Sequence, residues 1–298
     1  MDIHNIMVYT EIQTKNKNKY YYLTETIREG KKFKKKRVYL GKNLTKKELG
    51  KKVERLNPIN LLLSKKERDI LEKIKKEHKK TYNLDQYEHF VSLFTYDSNA
   101  IEGNTLTLQE TSLILFDKIT PKGKSLREIN EAINHKKAFD YILKYEGDIN
   151  KEFICEIQKL VVEKTLKTEL EDQIGEYRTS QVWIRGTNFI PPKAKDVPNE
   201  MKKLLIWYGK NKNKIHPIIL TSYFHSAFEL IHPFIDGNGR TGRLVMNFML
   251  HKFNYPMINI PTKEKLDYYG ALETARKGNL RKLVKLIVKT LMSTKHIF

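Results

Sequence analysis

With one cysteine in 298 residues, the chain has no intramolecular disulfide to form. Cys155 lies in the apolar-periodic stretch Phe153-Ile154-Cys155-Glu156-Ile157, so it reads as a small core residue of a protein suited to a reducing cytoplasm. Long apolar runs are missing as well: none approaches the roughly 18 residues that a membrane span requires. Met1-Asp2-Ile3-His4-Asn5 lacks the charged-then-apolar order of a secretory leader. A cytoplasmic protein with no membrane partner is the expectation. Acid is scarce beside base, 35 Asp+Glu against 56 Lys+Arg, for a formal charge of +21. Such a field draws polyanions without naming one, and lysine-rich helices also arise from codon bias or heat adaptation. The remainder is an ordinary globular balance, 40% hydrophobic and 31% charged, which excludes a disordered chain and suffices for one large domain or two smaller ones.

The pattern along the chain divides near Asn57-Pro58. Before it, Ile6 to Ile12, Tyr20 to Arg28 and Phe33 to Leu40, with a Glu29-Gly30 turn and a closing Gly41, read as a small β-meander. Residues 1–56 carry 16 Lys+Arg against 6 Asp+Glu, and this basic β-rich module is expected to be separate from a helical domain at 57–298. From there Ile70, Leu71 and Ile74 form a helical stripe. Thr107-Leu108-Gln109-Glu110 and Ser125-Leu126-Arg127-Glu128 are capping boxes that should start helices near 108 and 126. Further helices are predicted over 150–164, 197–210, 217–231, 239–253, 263–276 and 279–292. Gln181 to Ile190, β-branched and aromatic around Gly186-Thr187-Asn188 and stopped by Pro191-Pro192, reads as a lone hairpin, a flap or an arm.

The chemistry concentrates in His232-Pro233-Phe234-Ile235-Asp236-Gly237-Asn238-Gly239-Arg240-Thr241-Gly242-Arg243. Pro233 disfavours αR geometry at His232, so the imidazole should be presented where a helix gives way to a loop, and a helix C-terminus favours its protonated form. Gly237, Asn238 and Gly239 are the residue types that most readily take positive φ, so three backbone N–H groups can converge as an anion nest at the start of the next helix. Arg240 and Arg243, three apart, would project toward the same anion. Asp236 suits such a site if Mg²⁺ lies between it and phosphate, and Phe234 would anchor the loop in the core. A polar interhelical turn explains any one of these residues. Eight matched positions together have a chance probability on the order of 10⁻¹⁰ per start position, which favours a site.

Those residues resemble the signature of the Fic family, His-x-Phe-x-Asp/Glu-Gly-Asn-Gly-Arg-x-x-Arg, with no position departing and with the usual Ile-His-Pro-Phe opening. The resemblance extends over about residues 60–290, through Gly175-Glu176-Tyr177-Arg178 and Tyr268-Tyr269-Gly270-Ala271-Leu272. It implies a mainly α Fic-type bundle with a β-hairpin flap at about 181–192 and an active-site loop at 232–243. It further implies a protein adenylyltransferase that uses ATP and Mg²⁺ to place AMP on a Ser, Thr or Tyr hydroxyl of a target protein, self-modification included. By position it makes His232 the general base and Asp236 the metal ligand. Gly237, Asn238, Gly239 and Arg240 become phosphate binders, Arg243 the γ-phosphate partner, and the flap, through Val182 and Ile184, the docking edge for the target.

Ser98-Asn99-Ala100-Ile101-Glu102-Gly103, at the end of a helix spanning about 86–103, resembles the family's inhibitory motif, which casts Ser98 and Glu102 as a lock on Arg243. Other outcomes stay open on the same fold: de-AMPylation, transfer of another nucleotide-derived group, and a homodimer as one assembly. A rival of another class makes residues 1–56 a nucleic-acid-binding module, since Tyr20-Tyr21-Tyr22 and Lys31 to Arg37 interleave aromatics with cations.

Overall fold

The computed structural model describes residues 8–29, 32–56, 62–79, 81–184 and 187–294. Strands β1 (Val8–Lys15), β2 (Asn18–Glu29) and β3 (Lys32–Lys42) form the expected antiparallel meander in the order β1-β2-β3. Residues 1–7 and the Gly30-Lys31 end of the second turn lie outside the described residues. The first turn, Asn16-Lys17, has positive φ at both positions, the backbone whose twist matches paired strands. A helix not read from the sequence follows, α1 (Lys46–Leu56), opened by a Thr45–Glu48 capping box in which the Glu48 carboxylate accepts from the Thr45 N–H at 2.9 Å. It packs on one face of the sheet, where Tyr21, Leu23 and Leu40 meet Leu44 and Leu49.

The rest is helical: α2 (Lys65–Glu77), α3 (Leu84–Ile101), α4 (Leu108–Ser112), α5 (Leu126–Lys144), α6 (Lys151–Val162), α7 (Val197–Asn211), α8 (Pro217–Ile231), α9 (Asn238–Lys252), α10 (Lys265–Arg276) and α11 (Arg281–Thr294). The boxes at Thr107 and Ser125 form as predicted, and two more, Ser64–Glu67 and Asn83–Gln86, start α2 and α3. Each satisfies orphan N–H groups reciprocally, worth about 1 kcal/mol per cap. Helix α9 lies at the centre: Arg240 to Leu250 are buried all round, which a surface helix never is. Around it stand α3, α5, α6 and α8, while α10 and α11 close over α8. Cys155 is buried and free, as expected, and burial pushes its thiol up to about 11. No described helix is long and apolar enough to cross a membrane.

The flap departs from expectation. Residues 181–184 and 187–192 carry no strand pairing, and Arg185-Gly186 lie outside the described residues. Pro191 and Pro192 have no N–H to give to a ladder. A side chain closes the base instead: Gln181 Nε2 donates to the Val182 carbonyl at 3.1 Å and to the Pro191 carbonyl at 3.2 Å. Nearer the tip, the Thr187 N–H reaches the Ile184 carbonyl at 3.3 Å, and Arg276 of α10 lies 4.6 Å over the Phe189 ring.

Candidate active site

His232 caps α8 in left-handed geometry, φ 50° and ψ 61°, its N–H donating to the Phe228 carbonyl at 2.9 Å. A β-carbon makes that conformation cost about 1–2 kcal/mol, so the surroundings must hold it. Arg178 supplies the hold. Its Nε donates to the His232 carbonyl at 2.8 Å, and its backbone N–H donates to the Pro233 carbonyl at 2.9 Å. Its Nη atoms donate to the carbonyls of Ser180 at 2.9 Å and Pro192 at 2.5 Å, one at each end of the flap. This guanidinium is 2% exposed and meets carbonyl oxygens rather than a carboxylate, so it ties flap and loop together by dipoles.

The loop closes on itself. Asn238 Nδ2 donates to the Phe234 carbonyl at 2.8 Å, and the Phe234 N–H donates back to Asn238 Oδ1 at 2.9 Å. The Asn238 side chain is therefore engaged in shaping the loop, and its backbone is what it offers an anion. Phe234 is the expected anchor, fully buried with Tyr177 and Phe228 beside it. Gly237 starts α9 at φ 81°, and a Cβ there would lie 2.7 Å from Val162 Cγ1, so both backbone and space demand glycine.

Arg240 and Arg243 are both buried, at 2% and 1% exposure, and part company. Arg243 reaches α3: Nε donates to Ser98 Oγ at 3.0 Å, and Nη2 donates to the Ser98 carbonyl at 2.7 Å and to Glu102 Oε1 at 2.8 Å. The Glu102 carboxylate lies over the first turn of α9, where a Cβ on Gly239 would overlap it. Burial opposes its ionisation, but Arg243, with Arg240 and His232 behind it, outweighs that and holds the carboxyl below its usual range. Arg240 faces α5 and the loop, 3.4 Å from Glu131 and 3.5 Å from Asp236, while its Nε and Nη1 make no hydrogen bond. A buried guanidinium with unspent donors beside a helix N-terminus is built for an oxyanion. Asp236 accepts from the Gly237 N–H at 2.6 Å and from Arg127 at 3.2 Å, leaving the carboxylate partly exposed.

Burial, not the helix end, governs the histidine. It drives the imidazole down to about 4 against the opposing pull of the Glu229 carbonyl and of Glu102. The helix C-terminus was expected to favour the protonated ring; desolvation exceeds that effect, so His232 is neutral at pH 7, and its buried Nδ1 has no partner. Glu229, one turn before it on α8, was not foreseen. Burial raises its carboxyl to about 8, its Oε1 is unpartnered, and a Cβ on Gly242 would overlap it. Neighbouring His225 has both nitrogens committed: Nδ1 donates to the Gly242 carbonyl at 3.1 Å and Nε2 accepts from the Tyr268 hydroxyl at 2.7 Å. Arg127 and Glu131 were legible as an i,i+4 pair on α5, but nothing in their spacing said that α5 faces α9.

Ser98, Glu102, His232, Asp236, Gly237, Asn238, Gly239, Arg240 and Arg243 thus come together around the head of α9. Val182 and Ile184 lie on the flap, whose base Arg178 ties to His232, with Trp183 between them 73% exposed.

Comparison with known proteins gives the same frame. The Fic/DOC family model matches residues 148–250. The protein adenylyltransferase Fic of Nematostella vectensis is 34% identical over 199 residues, 65% of this chain and 45% of that protein. The Drosophila melanogaster protein of the same name is 36% identical over 196 residues, 64% of this chain and 39% of that protein. The chain spans less than half the length of these curated relatives. Among solved structures, Fic-1 of C. elegans superposes with a TM-score of 0.69 at 26% identity, covering 85% of this chain and 77% of that one. The loop from His232 to Arg243, the helices that frame it and these likenesses identify residues 148–250 as a Fic/DOC family domain.

Proposed function

We propose that the chain is a protein adenylyltransferase that moves AMP from ATP onto a Ser, Thr or Tyr hydroxyl of a target protein, and that Glu102 holds it at low activity. The observation that carries this reading is the Glu102 carboxylate at the N-terminus of α9, against Gly239 and Arg243, where a phosphate group would otherwise lie. The name of the curated relatives supports the reaction.

Of the three residues expected to take positive φ only Gly237 does, and its N–H is held by Asp236, so ATP would lay its phosphates on the first-turn N–H groups of Asn238 and Gly239 at the start of α9, with Arg240 donating its unspent N–H groups. His232, neutral at pH 7, accepts the proton of the target hydroxyl. The oxygen bonds to the α-phosphorus in line, the bond from that phosphorus to the bridging oxygen breaks, and pyrophosphate leaves with the pair. A polyanion beside the imidazole raises its proton affinity, which offsets part of the burial effect. Asp236 is the residue that would hold Mg²⁺, since one partly exposed carboxylate plus phosphate oxygens suffices for that ion, and no group of three or more metal-binding side chains exists among the described residues. When bound, Mg²⁺ supplies neutralisation of phosphate charge. The flap would receive an extended target segment along Val182 to Ile184 by main-chain pairing.

The test is transfer of label from α-labelled ATP by wild type, Glu102→Gly and His232→Ala, with the adduct weighed by mass spectrometry. Glu102→Gly is expected to raise transfer at least tenfold. His232→Ala is expected to abolish it while leaving nucleotide binding within a few-fold. An adduct mass other than AMP, or transfer that persists without His232, would overturn the reaction; a Glu102→Gly variant that folds and shows no gain at any ATP concentration would overturn the lock alone.

A further inference from the structure

The N-terminal sheet has a second face, turned away from α1. Tyr20 and Tyr22 of β2 and Tyr39 of β3 lie together there, Tyr39 with ring centroids 6.4 Å from Tyr20 and 5.5 Å from Tyr22. Lys42 Nζ sits 6.0 Å over the Tyr20 ring. Arg37 pairs with Glu11 of β1 at 3.0 Å, and Glu11 also accepts from Thr24 and Gln13 on the same face. Strand alternation adds Lys15 of β1 and Lys35 of β3. The face is open, with Tyr39 53% exposed and Lys15, Lys35, Arg37 and Lys42 exposed. None of these residues serves the nucleotide site.

We infer that this sheet face is a docking surface for double-stranded DNA, with the central tyrosines entering the major groove and the cations of the two edge strands meeting phosphates on either wall. Three considerations select that partner. Charge is complementary: residues 1–56 hold 16 cations against 6 acids, and the one described acid on the face, Glu11, is paired. Shape agrees as well: three strands about 4.8 Å apart set the axes of the two edge strands about 10 Å apart, which brings their cations toward the two phosphate walls of a major groove about 12 Å wide. Finally, the rings are mutually tilted: Tyr39 lies at 37° to Tyr20 and 53° to Tyr22, with Lys42 over Tyr20, so the tyrosines make one clustered ridge rather than the row of parallel platforms that successive single-stranded bases stack upon. Duplex RNA is disfavoured because its major groove is too deep and narrow for side chains to read.

A general field from the whole chain would also bind DNA, so the experiment compares equal charge changes at two places. The full-length protein is titrated into a fluorescein-labelled mixed-sequence duplex of about 20 base pairs, and anisotropy is followed from 50 to 300 mM NaCl, the range over which counterion release is read. Lys15→Glu/Lys42→Glu should weaken binding at least tenfold and lower the salt slope by about two, one for each phosphate that is no longer neutralised. Tyr39→Ala should weaken it with the slope unchanged. Lys202→Glu/Lys210→Glu, the same charge change on exposed α7 positions, should leave affinity within about twofold. The proposal fails if the α7 variant is weakened as much as the sheet variant, if unlabelled single strand or duplex RNA competes as well as duplex DNA, or if micromolar protein does not bind at 50 mM NaCl.

Discussion

His232 must serve as a base in a place where burial disfavours its charged form. With the imidazole driven down to about 4, the unprotonated ring is fully present above about pH 5. The pH profile of kcat/KM is therefore expected to show no histidine inflection near 6.5; a clear step there would mean that the free ring is solvated. Glu229 presents the opposite case, a carboxyl that burial keeps protonated up to about 8. Between pH 4.5 and 8 the folded chain keeps a proton that the unfolded chain releases, so this group's contribution to stability falls as pH rises through that window. Glu229→Gln should remove the slope. Thermal melts of both proteins at pH 5.5 and 7.5 check it, the wild type losing more between the two; parallel losses would show that Glu229 is ionised in the fold.

At the scale of elements, the site is a junction of α3, α8, α9 and the flap rather than a property of the loop. Arg178 couples two of these parts, and its removal strips carbonyls of His232, Ser180 and Pro192 of their donor. Arg178→Gln is expected to cost about 2–4 kcal/mol of stability and to lower transfer to a protein target more than ATP binding. Denaturant titration and isothermal titration with ATP separate the two effects. Val182→Asp with Ile184→Asp places charge on the edge meant for the target, so target modification should fall with nucleotide affinity unchanged. Equal loss of ATP binding would make the flap part of the nucleotide site. The absence of a ladder in the described flap residues fits this division, since backbone donors that no neighbouring strand takes are available to an incoming one.

Across the whole molecule, the sheet with α1 keeps a small core of its own, Tyr21, Leu23 and Leu40, apart from the clusters that surround α9 and α11. Residues 57–298 are accordingly expected to fold without the first 56 and to keep label transfer, with a thermal transition within a few degrees of the full chain; loss of helical signal on truncation would show one cooperative unit. Helix positions were legible from the sequence because capping and apolar period are local: Thr107, Ser125 and the stripe of α8 each declare their own element. The identity of the loop residues was legible for the same reason, as a contiguous run of chemical types. Helix α1 is signalled by Thr45 and Glu48 alone, a single capping box directly after a stronger β pattern. Tertiary structure alone decided what meets what. That Glu102 lies on Gly239, that Arg243 crosses to Ser98 while Arg240 turns to Glu131, and that Arg178 finds the carbonyls of His232 and Pro233 are contacts between segments far apart in the chain. Burial, which set His232 low and Glu229 high, is likewise a sum over neighbours from many elements, and no local pattern of residues contains it.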